Sequence, residues 1–145
     1  MNECFQINKH NTPELISDLP RLLDVPGHFH PAPFFITKEM FGGLPLALAG
    51  GHIAHLVDQA VADVHCHDVA EIYLLLSPDE GGAEIDIEVE GELFKAVSPA
   101  TFYVPAKAKH RFITRKAQQG SYCLGILLEN SVVETPVAPT VKKVL

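Results

Sequence analysis

From Phe34 onward the chain is a succession of short apolar segments cut by turn residues, and that rhythm constrains its fold more than any other feature. Candidate strands are Phe34–Lys38, Leu46–Ala49, His52–Val57, Val61–Cys66, Glu71–Leu76, Ala83–Glu90, Glu92–Val97, Thr101–Val104, His110–Arg115 and Ser121–Leu128. Turn signals stand between them at Gly42-Gly43, Gly50-Gly51, Ser77–Gly82, Glu90-Gly91, Ser98-Pro99 and Gln119-Gly120. Many short strands at regular spacing, with little helix, predict an all-β sandwich or barrel.

With 145 residues, 47% of them hydrophobic, the chain is expected to build one domain around one core. The barrel is placed at residues 34–134. Residues 1–33 read as an N-terminal extension with a short helix and loop: Thr12 is a cap, Pro13 suits a first helical position, and Pro20 and Pro26 keep any helix short. Residues 135–145, with Pro136 and Pro139, read as an extended C-terminal tail.

A net charge of −7 argues against a nucleic-acid partner, which would need a basic face. No apolar run approaches the ~20 residues of a membrane span, and Met1-Asn2-Glu3-Cys4 lacks a secretory layout. A cytoplasmic protein with no membrane partner is therefore expected. Cys4, Cys66 and Cys123 show no CxxC spacing, which speaks against both a disulfide framework and a cysteine zinc site. Glu84, Asp86, Glu88 and Glu90 alternate with Ile85, Ile87 and Val89, the pattern of a half-buried strand with a solvated acidic face.

Chemistry concentrates in His65-Cys66-His67-Asp68-Val69-Ala70-Glu71. On extended backbone side chains alternate with period two, so His65, His67 and Glu71 share a face unless a turn near Asp68 breaks the parity. Two histidines and a carboxylate with open coordination positions can hold a redox-active divalent metal. His110 offers a further imidazole in a later extended segment. Such side chains turned into a small apolar barrel would be costly without a metal or a hydrogen-bond network.

These residues resemble the two motifs of the cupin superfamily. The first, His-x-His-x3-Glu, reads His65-Cys66-His67-Asp68-Val69-Ala70-Glu71. The second, Pro followed five residues later by His, reads Pro105-Ala106-Lys107-Ala108-Lys109-His110. The resemblance spans roughly residues 45–128. It departs at Lys107, where cupins usually carry Gly, at Ser77 with its longer Pro78–Gly82 turn, and at Ala100-Thr101.

The resemblance implies a double-stranded β-helix, or jelly-roll barrel. It also implies one divalent metal on His65, His67, Glu71 and His110, with iron the first candidate and nickel, manganese or zinc the alternatives. Cupin barrels commonly pair, so a homodimer is expected. Tyr73 and Tyr103 are candidates to orient a small-molecule substrate or move a proton, and Lys107 to hold its anionic end. Phe112 and Thr114 share parity with His110 as pocket candidates. His28 and His30 read as loop histidines, and His52 or His55 as groups at the barrel mouth. Three functions follow: a dioxygenase or related oxygenase on a small chelating substrate, a non-oxidative lyase or isomerase, or a metabolite- or sugar-binding module without turnover. The first is preferred.

Overall fold

The computed structural model describes residues 12–129. Its strands, in chain order, are β1 (Arg21–Leu23), β2 (Ala32–Ile36), β3 (Leu46–His52), β4 (Glu71–Leu76), β5 (Ala83–Val89), β6 (Glu92–Val97), β7 (Ala100–Val104), β8 (His110–Ala117) and β9 (Tyr122–Leu128). They form a six-stranded antiparallel sheet in the order β1-β2-β3-β9-β4-β7 and a three-stranded sheet in the order β6-β5-β8.

The two sheets share one core. Tyr73, Leu75, Val104 and Cys123 come from the larger sheet, and Ala83, Ile85, Ile87 and Ala96 from the smaller. Alternation builds it: Glu71, Tyr73 and Leu75 of β4 are buried, as are Ala83, Ile85 and Ile87 of β5. A satellite cluster of Ala32, Phe34 and Ala47 closes the side beside β2. The all-β sandwich or barrel read from the strand rhythm is the observed architecture.

The acidic row of β5 faces out as expected, but it is paired rather than merely solvated. Arg111 Nε donates to Glu88 at 3.0 Å, while Arg115 donates to Asp86 at 2.8 Å and to Asp58 at 2.9 Å. Glu90 and Gly91, at φ 49° and 78°, join β5 to β6 in a two-residue turn that needs both residues left-handed.

Three local expectations fail. No helix forms after Thr12; the residues described there are irregular until β1. Pro13 and Pro20 leave too short an interval for a stable helix, and the residue before a proline avoids helical backbone. The segment His52–Val57 turns into a 3₁₀ turn at Ala54–Leu56 rather than continuing as a strand. Val61–Cys66 holds only isolated bridges, His28 to Ala62 and His65 to His110. The tail 135–145 and Cys4 lie outside the described residues. Among the described residues no helix is long and apolar enough to cross a membrane.

Candidate metal centre

Glu71 opens β4 and His110 opens β8, so strand geometry turns both side chains into the core. They are 8% and 1% exposed. His65 and His67 reach the same place from irregular backbone. His65 and His110 exchange backbone hydrogen bonds, with N–H to carbonyl distances of 3.1 and 2.8 Å, and the Lys107 N–H donates to the His67 carbonyl at 2.7 Å. The two motifs are thus stitched together through their main chains. Strand parity does not place His65 and His67, because residues 65–70 are not a strand.

The three imidazoles form a cup. One ring nitrogen from each of His65, His67 and His110 lies within 4.8 Å of the other two. His65 Nδ1–H donates to the Asp63 carbonyl at 2.7 Å, and His110 Nδ1–H to the Ala108 carbonyl at 2.8 Å. With Nδ1 assigned as the donor in each, Nε2 is left toward the cup, the arrangement that orients metal-bound histidine. The Glu71 carboxylate stands beside two of the rings, with Oε1 2.9 Å from His110 Nε2 and 3.9 Å from His67 Nε2. Donor types, spacing and fixed ring orientations of the three imidazoles are consistent with a divalent metal, and Glu71 stands beside two of them.

Burial and charge act differently on the two sides of the cup. Burial of His67 outweighs the pull of Glu71 and holds its pKa below the ordinary imidazole value. Burial also opposes charge on His110, but the Glu71 hydrogen bond and the Ala108 carbonyl overcome it and raise its pKa. Tyr73 is 5% exposed; burial first and Glu71 second push its phenol well above the usual range, so it stays protonated. Burial likewise raises the thiol of Cys123 and leaves it unreactive.

A cavity of about 780 Å³ opens onto the cup. Its walls include Phe35, Ile53, Leu56, Val61, Ala62 and Phe112, with His65, Glu71 and Tyr73 among the lining residues. His30, His52 and His55 also line it, and the Tyr122 hydroxyl meets His52 Nε2 at 2.8 Å. Phe112 packs edge-on to Tyr73 at 5.4 Å between centroids.

Two expected substrate-binding residues are elsewhere. Tyr103 pairs with Ile72 rather than Tyr73 across β4 and β7, so it faces outward and is 49% exposed. The Lys107 side chain is exposed and does not line the cavity. The role of this residue is in its backbone, at φ 67°, which delivers the N–H to His67. Thr114 is fully buried and does not line the cavity either.

Three contributors were not singled out from sequence. Gly125 lies opposite Tyr73 on β9, where a Cβ would sit 2.6 Å from Glu71 Oε2. Gly27, at φ 86°, backs onto His65, whose Cβ would lie 3.0 Å from an added one. His28, expected to be a loop histidine, places its ring 4.8 Å from that of His65. Position-specific glycine and a distant loop leave no local signal; only the two glycines' setting inside or ahead of strand segments hinted at close approach.

No protein-family model matches the chain, and no curated protein matches it. Solved structures do match. A Cupin 2 conserved barrel domain protein from Salinispora arenicola aligns with TM-score 0.54 and 14% identity, covering 86% of this chain and 95% of that one. An RmlC-like cupin from Shewanella frigidimarina aligns with TM-score 0.50 and 12% identity, covering 85% and 94%. The chain has the cupin fold. KdgF from a Halomonas species aligns with TM-score 0.50 and 17% identity over 74% of this chain and 84% of that one. In this cupin fold the histidine cup lies where the two motifs meet, and the cavity is enclosed in part by the segment ahead of β2.

Proposed function

We propose that this chain is a metal-dependent enzyme that oxygenates a small chelating substrate, with the metal held by His65, His67, His110 and Glu71. The observation that carries this reading is the meeting of cup and cavity: His65 and Glu71 line a mainly apolar space of about 780 Å³, with His67 and His110 beside them. Pockets of this size and character suit small organic ligands. When bound, a redox-active metal such as iron supplies both Lewis acidity and electron transfer.

The protein's own groups have narrower tasks. The His65 and His110 rings are locked in orientation by Asp63 and Ala108. Tyr73, kept protonated, sits beside Glu71 and helps hold its carboxylate. The apolar walls seat the substrate body and exclude water. Anion binding at a distal lysine is not part of this reading. Arg111 lines the cavity, but its charge is offset by Glu88, which accepts from Nε.

A non-oxidative lyase or isomerase is the second reading, and one observation favours it. The His28 imidazole lines the cavity beside His65, a place that suits a base. Metal analysis after reconstitution with iron, nickel, manganese or zinc tests the shared foundation. About one metal per chain is expected in the wild type and none in His67→Ala; absence of metal under every condition refutes the centre. Oxygen uptake with chelating enols and acids supports oxygenation, whereas anaerobic turnover moves the assignment to the second reading.

A further inference from the structure

His28 is built into the wall of the cup. Its N–H donates to the Val25 carbonyl at 3.1 Å, the Phe29 N–H to Val61 at 3.1 Å, and the Asp63 N–H to Gly27 at 2.9 Å. The last two bonds lash residues 27–29 to residues 61–63, and His28 forms a bridge with Ala62. Its ring stands as close to His65 as the ring of His67 does, 4.8 Å in each case.

The cup imidazoles differ in their polar partners. His65 has the Asp63 carbonyl, His110 has the Ala108 carbonyl and Glu71, and His67 faces Glu71. His28 repeats that arrangement: its Nδ1 is sealed from solvent with the backbone of Pro26, two residues back, as its polar partner, which leaves Nε2 toward the cavity that the residue lines. With Nδ1 so engaged, Nε2 of the neutral ring is the acceptor left for a ligand hydroxyl. The cavity limits what that ligand can be. Its one lining arginine has its charge offset by Glu88, which accepts from Nε at 3.0 Å, and the lining residues include no lysine. A ligand with a charged group away from the metal would lose hydration there without a counter-charge.

We propose that His28 is a substrate-contacting residue, its imidazole hydrogen-bonding an oxygen of the molecule held at the cup, and that this molecule is an oxygen chelator with an apolar body and no second charged group. The proposal deepens the metal-centre reading and rests on it.

The test uses 4-nitrocatechol, a chromophoric chelator with two adjacent oxygens, titrated into metal-loaded wild type, His28→Ala and His28→Gln. Metal content is measured on the same samples. Both variants should retain the wild-type metal content. His28→Ala should weaken probe binding by about tenfold, the scale of one lost hydrogen bond in a dry site, and His28→Gln should recover part of the loss. The analogue 3,4-dihydroxybenzoate, which adds a carboxylate, should bind wild type more weakly than 4-nitrocatechol.

Equal probe affinity in His28→Ala and wild type at equal metal content would overturn the contact role. Loss of metal from His28→Ala would also overturn it, by making His28 part of the metal-holding set. Metal-loaded wild type that ignores 4-nitrocatechol, or prefers the carboxylate analogue, would overturn the substrate class. Wild type that takes up no metal would instead overturn the proposed centre.

Discussion

The cup has a strand-built half and a loop-built half, and they differ in how they are held. Glu71, Tyr73 and His110 project from β4 and β8 into the core and are nearly solvent-free. His28, His65 and His67 come from irregular backbone, are half-buried, and depend on main-chain hydrogen bonds to neighbouring segments. The strand half is fixed by the fold as a whole. The loop half is fixed by a few local bonds, so its shape can vary between proteins without disturbing the barrel. In the proposed centre the difference implies a division of labour: the buried carboxylate and imidazole would set the electrostatics, while the loop imidazoles would complete the donor set and meet the substrate.

The largest expected effect separates the halves by their cost to folding. His110→Ala removes a donor and strands the Glu71 carboxylate, which is bonded to it at 2.9 Å. Breaking a buried pair in this way should abolish metal binding and cost about 3 kcal/mol of stability. His65→Ala removes a donor too, but from a half-buried site bonded to one carbonyl. It should abolish or severely weaken metal binding at a cost of about 1 kcal/mol or less. Chemical denaturation of the metal-free proteins measures both. Equal losses would erase the distinction.

A second pair of variants probes the glycines that make room for each half. Gly125→Ala drives a Cβ toward Glu71 Oε2, at 2.6 Å before relaxation. Because the sheet there is closely packed, the carboxylate must move. Metal affinity should fall by roughly 10–100-fold, with a stability loss of about 1–3 kcal/mol. Gly27→Ala meets His65 Cβ at 3.0 Å and requires left-handed backbone at φ 86°. It should cost about 1–2 kcal/mol, with a smaller fall in metal affinity, because a loop can shift where a sheet cannot. Metal titration of both variants decides the order, and a larger metal effect from Gly27→Ala would reverse the assignment of rigidity.

The same division marks what sequence could and could not disclose. Strand rhythm and the alternation of Glu84, Asp86 and Glu88 with Ile85 and Ile87 are local patterns, and β5 has that form. The cupin resemblance implies His65, His67, Glu71 and His110 as a ligand set, and the structure gathers the three imidazoles with Glu71 beside them. Strand parity accounts for only half of that convergence. Period-two parity holds for Glu71 and Tyr73 on β4, but His65 and His67 converge because their backbone pairs with residues some forty positions later. Cross-chain pairing of that kind has no local signature. Tyr103 faces outward for a related reason: spacing along one strand does not say which residue of the next strand lies opposite, and Ile72 rather than Tyr73 holds that place. His28 was undervalued because its neighbours in space, Ala62 and His65, are remote in sequence.

The smallest expected effect sits at the joint between the halves. Lys107 holds φ 67° with its side chain in solvent, and its N–H reaches the His67 carbonyl at 2.7 Å. A residue bearing a Cβ there costs roughly 1–2 kcal/mol relative to an unstrained conformation, which is the physical reason a glycine would suit the position. Glycine returns part of that gain through the greater freedom of the unfolded chain, about 0.5–1 kcal/mol. Lys107→Gly should therefore raise stability by about 0.5 kcal/mol or slightly more, a rise of roughly 1–3 °C in Tm for a chain of this size. The backbone donor is unchanged, so metal affinity should be unchanged as well. Calorimetry and metal titration read the two quantities separately. A loss of substrate or metal binding in Lys107→Gly would show that the lysine ammonium, and not only its peptide N–H, serves the cup, and would move Lys107 from the joint into the loop half itself.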